Sequence, residues 1–180
     1  MSLTDKRDRT EADRIPAIDE ANFEAIFIEQ WSRICHVLYR LLGDWADAED
    51  TALETFTRLH QRPPKESSNL NGWLYRVAMN LGFNELRSGQ RRQHYEEKAG
   101  VIILEENFSP DPEIALEKLQ ERERVRMTLA SMKTRSAKLL ILRHSGFSYR
   151  EIAGALDIRP GSVGKLLSRA ENEFKKKYRS

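Results

Sequence analysis

Apolar residues recur along this chain at intervals of three and four, the period of an amphipathic helix. The first stripe is Phe23, Ile26, Phe27, Trp31, Ile34, Leu38, Leu41 and Leu42. It predicts a helix from about Glu20 to Leu42, and Gly43 is a suitable residue to end it. Ala48, Ala52, Thr55, Phe56 and Leu59 mark the inner face of a second helix, from about Ala46 to Gln61, which Pro63 and Pro64 stop. A polar loop follows, from Lys65 to Asn69. Asn69 or Asn71 can cap a third helix. That helix carries Leu70, Trp73, Leu74, Val77, Ala78 and Leu81 inward and is expected to run to about Arg92.

Residues 93–112 read as a linker, with Glu96, Glu97, Glu105 and Glu106 and then Ser109-Pro110-Asp111-Pro112. Inside it lies Val101-Ile102-Ile103-Leu104, an apolar run expected to pack on a domain or a partner rather than face water. Helical patterning resumes from Glu113 to Met132 and from Arg135 to His144, with Leu139, Leu140, Ile141 and Leu142. No sustained apolar–polar alternation and no Asn-Gly or Asp-Gly turn signals a strand. The expected fold is all-α: two small helical domains joined by an acidic linker. The divisions are a polar tail (1–19), a first domain (20–94), the linker (95–112) and a second domain (113–180). Lobes this small have marginal cores, so partner contacts are expected to help order them.

The second domain ends in a helix-turn-helix pattern. Ser148 and Glu151 form a capping box, the sequence sign of a helix start. Ile152, Ala153 and Leu156 give that short helix its apolar face. Asp157 to Arg159 make the turn, and Pro160 suits the first position of the next helix. Val163, Leu166, Leu167, Ala170 and Phe174 then face inward. The opposite face keeps Ser162, Lys165, Ser168, Arg169 and Asn172, side chains that bond phosphates or base edges. Arg159 and Arg150 add backbone-directed charge. This pattern predicts duplex DNA as a partner, read by a helix in the major groove.

Charge sharpens the picture. The net charge is only +2, little for a DNA binder, but its distribution is uneven. Between Gly43 and Glu54 the chain has the acids Asp44, Asp47, Glu49, Asp50 and Glu54 and no base. Between Ile158 and Ser180 the bases Arg159, Lys165, Arg169, Lys175, Lys176, Lys177 and Arg179 face only two acids. One region suits phosphates and another suits a basic partner. The acids at spacings of three and four repel one another along a helix face unless a basic partner meets them. Asp44 and Asp47 are also favoured by the helix dipole.

Cys35, the one cysteine, lies in an apolar helical pattern and reads as a buried structural residue. No apolar run approaches the ~20 residues that cross a bilayer. The first twenty residues lack the apolar core of a signal peptide, so a cytoplasmic location without membrane insertion is expected. An enzyme is not expected, because no phosphate loop, Cys/His metal spacing or nucleophile–base pairing is present. No cofactor or metal is expected.

Three blocks together resemble bacterial sigma factors of the extracytoplasmic-function group. Leu41-Leu42-Gly43-Asp44-Trp45-Ala46-Asp47-Ala48-Glu49-Asp50, continuing to Glu54-Thr55-Phe56, is similar to the family's region 2.1–2.2. Trp73-Leu74-Tyr75-Arg76-Val77-Ala78-Met79-Asn80 resembles the core of regions 2.3–2.4. The helix-turn-helix is similar to region 4. The resemblance covers about residues 20–178. It implies a protein that binds core RNA polymerase and directs it to promoters.

The resemblance also implies a division of labour. Asp47, Glu49, Asp50, Glu54 and Phe56 would dock on the clamp helices of the largest polymerase subunit, while the second domain meets the flap. Asn80 would help hold a flipped −10 base, a task suited to an amide, with Arg76, Arg87, Arg91 and Arg92 on phosphates. Arg150, Arg159, Ser162, Lys165, Ser168, Arg169 and Asn172 would read the −35 duplex. An anti-sigma partner is expected, with the run Val101 to Leu104 as one candidate contact. The chain departs from the family pattern in three places. Leu53 stands where glutamine is usual, Gly164 and Leu166 replace polar or basic residues, and no aromatic precedes Trp73 in the loop from Pro64 to Gly72. Two other readings fit parts of the chain: a one-component regulator, which would have no use for the acid cluster, and an interaction protein held inactive by a partner.

Overall fold

The computed structural model describes residues 20–64, 69–98 and 112–179, with side chains through residue 89 and again from residue 117. The tail and the run Val101 to Leu104 lie outside the described residues. Among the described residues seven α-helices follow one another: α1 (Glu20–Leu42), α2 (Trp45–Gln61), α3 (Leu70–Lys98), α4 (Pro112–Ser131), α5 (Thr134–His144), α6 (Tyr149–Leu156) and α7 (Val163–Tyr178). No strand occurs among the described residues.

Helices α1, α2 and the first half of α3 form the first lobe. Ile34, Leu38, Leu41, Ala52, Leu59, Leu74 and Met79 are fully buried there. Phe56 sits at 1% exposure within an aromatic cluster, 4.8 Å from the Phe27 ring and 6.4 Å from Phe23. Asp44 starts α2 by accepting a hydrogen bond from the Asp47 backbone N–H at 2.8 Å. Asn69 starts α3 in the same manner, through the Gly72 N–H at 3.0 Å. Gly43 closes α1 at φ +82°, where a side chain would be strained and would also overlap the Arg126 guanidinium.

Helix α3 continues to Lys98, past the expected end near Arg92. Gln93, Glu96, Glu97 and Lys98 are good helix formers, and neither glycine nor proline interrupts the stretch before Gly100. The first stretch assigned to the linker is therefore helical.

Helices α4 to α7 form the second lobe around Leu129, Met132, Leu139, Leu142, Ile152, Val163, Leu167 and Ala170. The capping box at α6 is complete: Ser148 Oγ accepts from Glu151 N, and Glu151 Oε2 accepts from Ser148 N at 2.8 Å. Asp157 ends α6 in the left-handed region, φ 54°, a conformation that aspartate tolerates better than most residues. Pro160 opens a 3-10 turn (Pro160–Ser162) rather than α7 itself. Its fixed φ and missing N–H suit that first turn equally well.

The lobes do not each close on a separate core. Buried residues of both belong to one continuous cluster, because α6 lies along α3 and α5 approaches α1. Phe147, just before α6, is fully buried with its ring edge-on to Tyr75 of α3 at 4.6 Å.

Candidate functional site

Three surfaces carry the side chains singled out above. The first is the outer face of α2. Asp47, Glu49, Asp50 and Glu54 are all exposed there. Glu54 bonds Arg58 at 2.8 Å, and Glu49 accepts from the Trp45 indole N–H at 2.9 Å. Trp45 is 42% exposed and Leu53 55%, so the acidic face carries apolar surface as well. Phe56 corrects the sequence expectation. It faces the core, where the same helical period that exposes the acids buries it, and it supports the surface from behind instead of contacting a partner. Trp45 was not among the candidate contact residues, because the inner-face pattern of this helix begins only at Ala48 and leaves Trp45 unplaced. It packs on Tyr39 and His36 of α1, each with ring centroids 5.4 Å away.

The second surface is the outer face of α7 with its preceding turn. Lys165, Ser168, Arg169 and Asn172 are exposed, as are Arg150 and Arg159, and Ser162 is half-buried. An open groove of about 520 Å³ is lined by Arg159, Ser162, Lys165 and Arg169 together with Arg135. The sequence reading missed Arg135. A signal was available: a base in the first turn of α5 opposes the helix dipole and gains more from an anion than from its own helix. Gly164 turns towards the Tyr149 ring, and a Cβ there would sit 3.5 Å away in ordinary contact.

The third surface is the side of α3 that holds Arg76, Asn80 and Arg87. The structure brings the three together, and each engages the second lobe. Arg76 donates to the carbonyls of Gly154 at 3.2 Å and Ala155 at 3.4 Å, with Asp157 at 3.9 Å. These carbonyls are the unsatisfied, partly negative end of α6, which attracts a guanidinium. Asn80 Oδ1 accepts from Lys138 of α5. Arg87 donates to Thr134 Oγ1 at 2.9 Å and to the Met132 carbonyl at 3.5 Å. Burial and the neighbouring Arg87 hold the Lys138 ammonium pKa below its ordinary value. Arg91 and Arg92 lie on α3, but their side chains are outside the described residues.

Beside this face, Arg33 of α1 bonds Glu151 of α6 at 2.6 Å. Its guanidinium carbon stands 4.4 Å over the Phe147 ring and 5.7 Å over Tyr75. Burial pushes the Tyr75 hydroxyl up to about 12, so it stays protonated and donates to Gln30 Oε1 at 2.9 Å. The Glu151 carboxyl lies below the usual carboxylate range, held there first by the hydrogen bond from Ser148 and further by Arg33. Arg33 carried no sequence signal: it sits on the polar side of α1, and its partner is 118 positions away.

Among the described residues no cluster of His, Cys, Asp and Glu could hold a metal ion, and no helix is long and apolar enough to cross a membrane.

Two family models match the chain in order: Sigma-70 region 2 over residues 28–92 and Sigma-70, region 4 over residues 122–173. The chain is 24% identical over 185 residues to the RNA polymerase sigma-H factor of Pseudomonas aeruginosa, covering 97% of this chain and 95% of that protein. It is 26% identical over 156 residues to the extracytoplasmic-function sigma factor SigW of Bacillus subtilis, covering 82% and 83%. Two solved structures share the fold. One is CnrH in complex with the cytosolic domain of CnrY, with TM-score 0.55, 17% identity and 88% of each chain covered. The other is the sigma factor RpoE in complex with the anti-sigma factor NepR from Bartonella quintana, with TM-score 0.52, 21% identity and 88% and 97% covered. Region 2 takes in α2 and most of α3, and region 4 takes in the helix-turn-helix. The chain belongs to the sigma-70 family, as a sigma factor of the extracytoplasmic-function type.

Proposed function

We propose that this protein binds core RNA polymerase through the acidic face of α2 and directs it to promoters. In this reading α7 takes the −35 element as duplex and α3 takes the opened −10 strand. The protein acts as a specificity factor and performs no chemistry of its own. One observation carries the proposal: a capped helix-turn-helix with an open, cationic α7 face shares a chain with an exposed acidic helix that a plain DNA-binding module would not need.

Each contact has a physical basis. Lys165 and Arg169 match phosphate or guanine edges, and Ser168 and Asn172 suit bases or backbone. Arg135 joins them in the same groove. On α2, Asp47, Asp50 and Glu54 share a side, with Leu53 beside them, so the fitting partner surface is basic with an apolar centre. On α3, Asn80 has the amide for a base edge, and Arg76 and Arg87 have the charge for phosphates. Control by an anti-sigma factor is supported by the two solved relatives, each held in complex with a partner protein.

The test is capture of purified bacterial core polymerase, followed by transcription from a promoter library. Stable association with promoter-dependent transcripts is the expected result. No association, with specific duplex binding by the protein alone, would turn the α2 acids into an ordinary solvated face and favour a one-component regulator.

A further inference from the structure

Side chains of α4, α5 and α7, with Arg40 from α1, line an open groove of about 550 Å³, a size within the range of ligand pockets, ~300–1,000 Å³. Leu129, Leu140 and Ile141 form its floor, and the half-buried Val125 and Phe174 form its walls. Arg40, Lys175 and the acid Glu171 stand exposed around it. The groove shares no residue with the acidic face of α2 or with the cationic groove that Arg159 and Arg169 line. We propose that its occupant is the chain's own run Val101-Ile102-Ile103-Leu104, seated with Glu105 and Glu106 against Arg40 and Lys175.

Three observations select this occupant over a foreign one. First, the chemistry matches in kind. Four consecutive aliphatic residues are followed directly by two acids, and the groove offers an aliphatic floor beside two bases. Seating the run removes apolar surface from water, and the acids meet charge of the opposite sign. Second, the two bases are unspent. Arg33, Arg76, Arg87 and Arg126 all have acceptors, whereas among the described residues neither Arg40 nor Lys175 has one. Third, the run can reach. Leu104 precedes Pro112, the start of α4, by eight residues, which span up to ~26 Å when extended. Val125 lies thirteen residues into α4, ~20 Å along the helix axis. The connecting chain is therefore long enough to fold back along α4 to the groove.

The tether also explains why this occupant prevails. A segment joined to its site by a short connection is present at an effective concentration in the millimolar range, so even a weak contact is populated. This docking does not depend on where the protein meets DNA. Another protein that uses the same groove must displace the run first.

The experiment uses the full chain with Cys35→Ala and paired thiols. One form carries Ile103→Cys with Glu171→Cys, which leaves both rim bases in place. The control carries Ile103→Cys with Lys118→Cys, exposed on α4, outside the groove and nearer to residue 103 in sequence. Disulfide closure under mild oxidation is followed on non-reducing gels. The groove pair is expected to close within the monomer at least about tenfold faster than the control, because docking raises the local thiol concentration. Adding Glu105→Lys and Glu106→Lys should slow the groove pair about threefold, the scale of exposed ion pairs, and leave the control unchanged. Equal closure of the two pairs, or faster closure of the control, would overturn the docking. A groove thiol that closes only between chains would overturn it as well and assign the groove to a second copy.

Discussion

Leu53 and Phe56 stand three residues apart on α2 and meet opposite surroundings, one 55% exposed and the other 1%. Phe56→Ala should therefore cost about 3–5 kcal/mol of stability in urea unfolding, the usual range for emptying a buried aromatic site. Asp50→Lys should leave that unfolding curve in place and abolish capture of core polymerase. Retained capture would remove the docking assignment. On α7, Arg169→Ala should weaken −35 duplex binding by about 1–3 kcal/mol if the guanidinium reads a base. A uniform loss across sequences would assign it to phosphate instead. Cys35, 1% exposed and with its thiol pushed up to about 11, should resist alkylation in the native protein at pH 8 and react at once in denaturant. These residues differ in how legible they were. The exposure of Asp47, Glu49 and Asp50 and the burial of Cys35 follow from the helical period alone. Phe56 was named for two roles because a family signature does not say which side of the helix its residues face.

At the scale of the element, α6 shows how a short helix is held by its ends. Ser148 and Glu151 close the start, and the backbone turns at Asp157 with the Ile158 N–H reaching back to the Ala153 carbonyl at 3.0 Å. Ser148→Ala should cost about 1 kcal/mol, the typical worth of such a cap. The depressed Glu151 carboxyl sets the sign of the acid response. Its contribution is complete above its unfolded value, roughly 4.3, and is lost as pH falls through the lower folded value. Glu151→Gln should flatten that part of the acid-unfolding curve, measured by circular dichroism, and at neutral pH should lose the ion pair with Arg33. The capping box was visible in the sequence because both partners lie three residues apart. The continuation of α3 to Lys98 was not predicted, because acidic and polar composition was taken for a linker although glutamate, lysine, arginine and glutamine are good helix formers.

At the scale of the whole molecule, the continuous core couples the lobes. Wild type should unfold in a single calorimetric transition, and Gly154→Gln should broaden or split it as α6 is lifted from α3. Two separate transitions in wild type would mean the lobes are energetically independent. The amino-acid sequence by itself determined the helices, their inner faces, the cap of α6, the order of the two sigma regions and the charges available to partners. All of these depend on neighbours within a turn or two, where period and side-chain chemistry act directly. Only the tertiary structure decided what Arg33, Arg76, Asn80 and Arg87 touch, because their partners lie 45 to 118 positions away. A guanidinium looks the same in a sequence whether it will meet a phosphate or the carbonyl end of a helix, and the packing of α6 on α3 makes that choice.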